Sequence, residues 1–197
     1  MEDAAPKLAQ LASSISECVR CPQLAADRLR AVPGGGHAHA HVMVVAAAPS
    51  LQEEAAGLPA GSGLLDEFAA LLAGSTPERR APIYTTAVVK CVPRDQQEPR
   101  AANATECDNC YDYLSREIST ITPHVLVPVG AQAAAYVLAR LLGDGAPAFD
   151  PLNLRVIRTP AFSVAPVPSP PEVSALPPHE RKACLEQLQT LAARIHL

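Results

Sequence analysis

The segment Ile83-Tyr84-Thr85-Thr86-Ala87-Val88-Val89-Lys90-Cys91 decides the fold of this 197-residue chain. Its β-branched and aromatic residues, uninterrupted by Gly or Pro, predict a buried strand. The segment ends in a cysteine, so a thiol stands where the strand stops and a loop begins. Two C-x2-C pairs flank that thiol, at residues 18–21 and at residues 107–110. This arrangement indicates a metal or cluster site that ties the ends of the fold to its centre.

Length and composition limit the classes of protein that the chain can represent. Its 197 residues predict one domain, residues 1–197, and 48% of them are hydrophobic. The net charge of −4 argues against non-specific coating of nucleic acid, although a local basic groove stays open. The sequence contains no run of 18 apolar residues, so it predicts no membrane span.

Six cysteines and an acidic N-terminus predict where the protein works. The N-terminal residues lack the apolar core of a signal peptide, which favours an intracellular, reducing compartment, the cytoplasm or the nucleoid. In such a compartment cysteines are more often metal ligands or free thiols than disulfides.

Hydrophobic periodicity predicts alternating strands and helices. Strands are expected at residues 42–48, 83–91, 125–129 and 154–161, and helices at residues 5–20, 64–72, 104–121, 130–142 and 181–195. The alternation predicts an α/β fold of three αβα layers around a four-stranded, mainly parallel central sheet. The proline-rich residues 166–178 predict an extended surface loop. A ligand crevice is expected at the carboxyl ends of the strands, where Pro49-Ser50, Cys91 and Thr159 fall.

Three histidines alternate just before the first strand, at His37, His39 and His41. An extended backbone would put the three imidazoles on one side. An exposed lead-in to the strand is the favoured interpretation, ahead of a metal site.

Five segments resemble motifs of the uracil-DNA glycosylase superfamily, and specifically its iron–sulfur family 4. Residues 84–91, Y-T-T-A-V-V-K-C, are similar to the family's Y-x-T-N-V-V-K-C, and residues 123–130, P-H-V-L-V-P-V-G, to its P-K-V-I-V-A-L-G. Residues 45–50, V-A-A-A-P-S, lie where the family has V-G-E-A-P-G. A shortened version of G-R-P-F-V-G-x-x-G-x-L-L covers residues 57–65, and the N-terminal cysteine pair stands at residues 18–21. The resemblance runs through most of the chain and implies the glycosylase-like fold.

The resemblance implies a [4Fe–4S] cluster held by four cysteines. Three of them are Cys18, Cys21 and Cys91. Loop length favours Cys107 as the fourth ligand, whereas the family's C-x-x-Y-L helix signature favours Cys110. We expect Cys110, because a surface loop tolerates insertions better than a helix that is joined to the core.

Two alternatives to the cluster remain at the sequence level. Zinc also accepts four thiolates, since zinc and the iron of such clusters both bind soft ligands. The cysteines could also be unrelated buried thiols, which is the interpretation that we give to Cys184 in the last helix.

The catalytic positions that the resemblance implies have lost their chemistry. The acid that activates water corresponds to Ala47, the base-stacking Phe to a shortened loop around Ala60, and the Asn that reads uracil to Ala87. The His of a late H-P-x-Y motif corresponds to Thr159. A methyl group can neither accept a proton nor donate a hydrogen bond. The sequence therefore predicts a degenerate pocket, as in a pseudoenzyme.

Several loops of the resemblance survive and are candidates for contact with a nucleic-acid backbone. The candidate nucleic-acid-binding residues are Pro49, Ser50, Gly61, Ser62, Gly63, Lys90 and Arg158, with Arg94 and Arg100 as further sources of positive charge. The alternative is that these turns survive because they hold the fold.

Three functions remain open on the sequence. The first is a catalytically silent iron–sulfur module that binds DNA, another nucleic acid or a protein partner. The second is an active DNA glycosylase of base excision repair with an atypical pocket, in which Ser50 or Thr159 carries the chemistry. The third is a structural assembly subunit that binds no nucleic acid.

Overall fold

A computed structural model of the chain describes residues 4–59 and 82–194. The helix predicted at residues 64–72 and the loop at Gly61, Ser62 and Gly63 lie outside these ranges, as does Ala60. The helices are α1 (Ala4–Ser16), α2 (Pro22–Asp27), α3 (Leu51–Ala56), α4 (Ala104–Ile121), α5 (Ala131–Leu142), α6 (Pro170–Ala175) and α7 (Pro178–Arg194). The strands are β1 (Gly35–Gly36), β2 (Val42–Ala46), β3 (Ile83–Ala87), β4 (Arg94–Asp95), β5 (Glu98–Pro99), β6 (Val125–Pro128), β7 (Ile157–Arg158) and β8 (Ser163–Val164).

The central sheet has the strand order β1-β3-β2-β6-β8-β7. Its inner strands β3, β2, β6 and β8 run parallel. Two antiparallel strands of two residues each, β1 and β7, close its edges. The predicted α/β fold with a mainly parallel sheet is confirmed, and these short edges raise the number of strands from four to six.

Each face of the sheet is covered by helices, because alternate residues of a strand point to opposite faces. Met43 and Val45 of β2 pack with residues of α1, α4 and α5 in one hydrophobic cluster. Val42 and Val44 pack on the other face with α6 and α7, and Cys184 of α7 is fully buried there. The predicted αβα layering is therefore confirmed. Within the described ranges, no helix is both long and apolar enough to span a membrane.

The strand predicted at residues 154–161 is wrong in its position and direction. Only Ile157–Arg158 of that segment is a strand, and it pairs antiparallel with β8. A tight turn reverses the chain between them, with the Thr159 N–H donating to the Phe162 carbonyl at 3.0 Å. The fourth parallel strand is β8, which begins just after the predicted segment ends.

The proline-rich residues 166–178 do not form an extended surface loop. Val167 is fully buried and bridges to Val129, and α6 follows at Pro170–Ala175. Ala165 and Val167 donate their N–H groups to β6 carbonyls, each at 2.9 Å. Pro166 and Pro168 alternate with these donors, so the missing proline N–H groups cost no hydrogen bond to β6.

Candidate functional site

Four of the six cysteines come together where α1, β3 and α4 meet. The turn after α1 carries Cys18 and Cys21, Cys91 follows β3, and Cys110 lies on α4. Cys91 is within electrostatic reach of Cys18 and Cys21, and Cys110 is within reach of Cys21 and Cys91. All four pack in or against one hydrophobic cluster.

Cys107 lies one turn earlier on α4 and has different neighbours. The charged groups that act on it are Asp108, Glu106 and Arg140, and no cysteine is among them. The structure thus brings Cys110 near Cys21 and Cys91, whereas Cys107 lies near Asp108, Glu106 and Arg140.

Hydrogen-bond donors surround the four thiols. The Arg28 guanidinium approaches Cys91 Sγ at 3.4 Å, and the Asn109 amide approaches Cys21 Sγ at 3.5 Å. Arg20 fixes the turn that carries Cys18 and Cys21 onto α4, because it donates to the Asn109 carbonyl and to Asp112, each at 3.2 Å. Such donors orient thiolate ligands and tune a bound metal.

Burial controls the protonation of these thiols. It raises the pKa of Cys110 to about 11 and raises the pKa of Cys91 as well, although the hydrogen bond from Arg28 opposes the shift at Cys91. Metal ligation requires thiolates, so these two residues would release their protons if they bound iron or zinc.

The spacing of the thiols bears on which metal suits them. Among residues 4–59 and 82–194, no group of three or more His, Cys, Asp or Glu side chains has the geometry to hold a single metal ion. Zinc needs four ligands around one ion at about 2.3 Å from each sulfur. An iron–sulfur cluster carries its thiolates on separate irons and tolerates wider spacing. The chemistry of a four-thiol donor set suits an iron–sulfur cluster or zinc, since both bind thiolates.

A small cavity marks the carboxyl ends of β2 and β3. Ala46 and Ala87 pair there, and Ala48, Pro49 and Ala87 are among the residues that line the cavity. Its volume of about 10 Å³ holds about one water molecule. Ala47 is half-buried just after β2 and presents only a methyl group.

Lys90 is part of the core and does not face a ligand. Its side chain is 1% exposed, and its Nζ donates to Glu117 Oε2 and to the Ala87 carbonyl, each at 2.7 Å. Thr86 also donates to Glu117, at 2.8 Å. The expectation that Lys90 contacts nucleic acid is therefore wrong, because its ammonium group is buried and paired with Glu117.

Other candidate cations near the crevice are also paired. Arg94 is buried against Glu54 of α3, and Arg100 is paired with Glu106 of α4 at 2.6 Å. Ser50 caps α3, since its hydroxyl accepts the Glu53 N–H at 3.2 Å while Glu53 accepts the Ser50 N–H at 2.7 Å. The Ser50 backbone is thus committed to the fold.

Thr159 lies at the amino ends of the parallel strands, whereas Ala47 and Ala87 lie at their carboxyl ends. It precedes β8, beside His41 and His124, which precede β2 and β6. Its hydroxyl donates to the Phe162 carbonyl at 2.6 Å and accepts the Phe162 N–H at 3.2 Å. The expectation that Thr159 faces the carboxyl-end crevice is wrong, because the fourth parallel strand starts after it. Arg158 is exposed at the same amino edge.

Comparison with known families decides between a shared ancestry and a chance likeness of short motifs. The family model of the uracil DNA glycosylase superfamily matches residues 33–190. This chain belongs to that superfamily. The match covers every strand of the central sheet.

Curated relatives carry the name type-4 uracil-DNA glycosylase. The relative from Pyrobaculum aerophilum is 34% identical over 139 residues, 69% of this chain and 66% of the relative. The relative from Archaeoglobus fulgidus is 33% identical over 133 residues, 66% and 63% of the two chains. The relative from Sulfurisphaera tokodaii is 30% identical over 137 residues, 68% and 59%. The matched region thus spans about three fifths to two thirds of the length of these relatives, and the family-4 resemblance is confirmed.

The glycosylase motif H-P-x-Y must be sought at the edge where Ala47 and Ala87 lie. The X-Pro pair that reaches the carboxyl edge is Val167-Pro168, since Gly130 N–H donates to the Val167 carbonyl at 2.8 Å just after β6. Thr159-Pro160 sits at the other edge. Val167 is fully buried and its side chain has no polar atom. Like Ala47 and Ala87, Val167 offers no polar side-chain atom at the carboxyl ends of the strands.

The acidic residue that lines the small cavity was missed by sequence reasoning. Glu53 lines the small cavity and is 6% exposed. The signal that could have found it is the capping-box spacing Ser50-x-x-Glu53, which predicts a helix start directly after β2.

Proposed function

We propose that this chain is a catalytically silent member of the uracil DNA glycosylase superfamily that binds nucleic acid without excising a base. The observation that carries the proposal is the absence of polar side chains at three described positions at the carboxyl ends of the parallel strands, beside a cavity that Glu53 and Thr86 also line. Ala47, Ala87 and Val167 offer neither a general base nor a hydrogen-bond donor there. Excision of a flipped base needs such groups to read the base and to stabilise the departing anion.

We further propose that Cys18, Cys21, Cys91 and Cys110 hold a [4Fe–4S] cluster. The support is their common location, their thiol chemistry and the hydrogen-bond donors Arg28 and Asn109 beside them. The cluster would join the N-terminal turn, the end of β3 and α4. Its role is a covalent staple between parts of the fold that lie far apart in sequence.

An excision assay tests the catalytic part of this proposal. Purified protein is incubated with oligonucleotides that carry uracil, hypoxanthine or xanthine, and abasic sites are cleaved and counted. The relative from Pyrobaculum aerophilum is the positive control on the uracil substrate. We expect no product above that of a buffer blank, and turnover on any of the three substrates would overturn catalytic silence.

The buried carboxylate of Glu53 supports a second candidate, an active glycosylase with an atypical pocket. Glu53 is the acidic residue among the described residues of the crevice cavity, and one of its carboxylate oxygens accepts the Ser50 N–H. If turnover is found, Glu53→Gln discriminates, since the amide still accepts that N–H but cannot act as a base. Loss of turnover in this variant, with an unchanged unfolding midpoint, would assign Glu53 the role that Ala47 lacks.

The binding part is tested by fluorescence anisotropy with labelled single- and double-stranded oligonucleotides. We expect saturable binding that weakens as salt is raised, because phosphate contacts release counterions. If neither the single-stranded nor the double-stranded oligonucleotide binds at low salt, protein assembly remains as the function.

A further inference from the structure

A groove at the amino edge of the sheet carries an unexplained concentration of positive charge. It lies on the opposite side of the sheet from the glycosylase crevice, and its volume is about 1020 Å³. We define the amino-edge groove by six of its lining residues, His41, His124, Arg155, Arg158, Thr159 and Phe162.

All titratable residues that line this groove are basic. They are His41, His124, Arg155 and Arg158, and no Asp or Glu is among the described lining residues. The chain as a whole carries a net charge of −4. A basic groove on an acidic protein is a local feature, which average composition does not explain.

The two arginines of the groove are free to bind a ligand. Both are exposed, and no ion pair or hydrogen bond among the described residues involves either guanidinium. Four other arginines have acidic partners, in the pairs Arg20–Asp112, Arg94–Glu54, Arg100–Glu106 and Arg140–Asp108. An unpaired guanidinium offers a planar fork of donors that suits a phosphate.

The histidines and the turn give the groove a defined shape. The His41 and His124 rings lie 4.6 Å apart between centroids. They are held there because the His124 N–H donates to the His41 carbonyl at 2.8 Å, where β2 and β6 begin side by side. The Thr159–Phe162 turn, closed by its own hydrogen bonds, forms another wall.

We infer that the amino-edge groove binds the phosphodiester backbone of a single nucleic-acid strand. The groove is larger than a site for one phosphate requires, and it offers two unpaired guanidinium groups, as grooves that follow a strand offer several cations. The inference goes beyond the proposed function, since that function uses the other edge of the sheet. A strand held here would give the protein a second contact with nucleic acid.

The test measures the affinity of a labelled 15-mer of deoxythymidine by anisotropy at several salt concentrations. The groove variant is Arg155→Glu/Arg158→Glu. We expect at least a roughly tenfold loss of affinity, and a salt slope that is smaller by about 1.4, at about 0.7 per lost phosphate contact on a single strand. Arg158→Lys should keep most of the affinity because it retains the charge.

Two matched charge reversals separate this site from the rest of the surface. Arg116→Glu changes an exposed arginine of α4, and Arg30→Glu changes an exposed arginine beside Gly57, at the crevice edge. Arg116→Glu should leave the affinity within about twofold. If it lowers the affinity as much per charge as the groove variant does, only net charge acts and the inference is overturned.

The remaining outcomes distinguish the groove from the proposed function. Unchanged affinity in the groove variant, with loss in Arg30→Glu, would overturn the groove and leave nucleic-acid binding at the crevice. Loss in the groove variant alone would support the groove and move the nucleic-acid contact away from the crevice. If inorganic phosphate or a deoxythymidine dinucleotide competes at the concentration that the 15-mer needs, the groove is a site for small anions. If polyglutamate competes, the groove is a site for an acidic protein. Either result would overturn the strand assignment.

Discussion

Cysteine identity at two positions of α4 tests the cluster at the scale of single residues. We expect Cys110→Ser to abolish iron binding, because Cys110 lies beside Cys21 and Cys91, and Cys107→Ser to retain it, because Cys107 faces Asp108 and Arg140. The measurement is iron and acid-labile sulfide per protein, together with the visible absorption of anaerobically purified protein. The buried Cys184 in α7 provides the control Cys184→Ser, which should also keep its iron. Loss of iron in Cys107→Ser, with iron retained in Cys110→Ser, would contradict the assignment.

The buried ion pair is a second test at the scale of single residues. Lys90→Met leaves the Glu117 carboxylate buried without its cation, and such a broken pair costs roughly 3–5 kcal/mol. Glu117 also accepts the Gly34 N–H at 3.1 Å, so a polar atom must remain at that position. Lys90→Met/Glu117→Gln should therefore recover part of the loss, since the amide is neutral and still accepts. Unfolding in urea measures the free energy of each variant, and equal losses in both would mean that the pair is not what stabilises this site.

A helix cap provides the test at the scale of an element. Ser50→Ala removes the acceptor for the Glu53 N–H, and loss of such a cap costs about 1 kcal/mol of the free energy of unfolding. Ser119 is also on a helix, where its exposed hydroxyl bonds only the Arg116 carbonyl. Ser119→Ala should leave the midpoint of urea unfolding nearly unchanged. A Ser50→Ala midpoint equal to that of the wild type would show that the cap does not hold α3.

The sequence predicted most of the elements correctly, and its errors have a physical cause. Long periodic segments such as α4 were placed to the residue, because burial and capping agree there. The segment around residues 154–168 was misjudged because two X-Pro pairs, Thr159-Pro160 and Val167-Pro168, read alike in sequence. Only the pairing with β6 decides which pair follows the parallel strand.

At the candidate site, sequence patterns proposed the residues but could not predict their environments. The position of Cys110 followed from a helix signature, whereas the burial of Lys90 depends on Glu117, which is 27 residues away. The same limit hid Glu53, because a capping residue and a cavity residue look identical in sequence. Contacts between distant segments are set by packing, which no local pattern records.

Cluster loss is the test at the scale of the whole molecule. The proposed cluster would join the turn after α1, the segment after β3 and α4, so removal of its iron should loosen the N-terminal turn more than the sheet. We expect faster hydrogen exchange at residues 16–28 in the iron-free protein, with β2, β3 and β6 still protected, since their strands are buried on both faces. Exchange followed by mass spectrometry measures this difference. Uniform loss of protection across the sheet would mean that the cluster is required for folding as a whole.

The two-residue strands β1 and β7 have a consequence for how the protein behaves at high concentration. An unpaired edge of a parallel sheet is a template on which a second chain can add a strand, and it is a common start of aggregation. Here the described sheet exposes only two residues at each margin, and Gly36 in β1 adopts a φ of +127°, which bends the backbone out of register for an incoming strand. The described edges of the sheet therefore offer little regular backbone on which a second chain could add a strand.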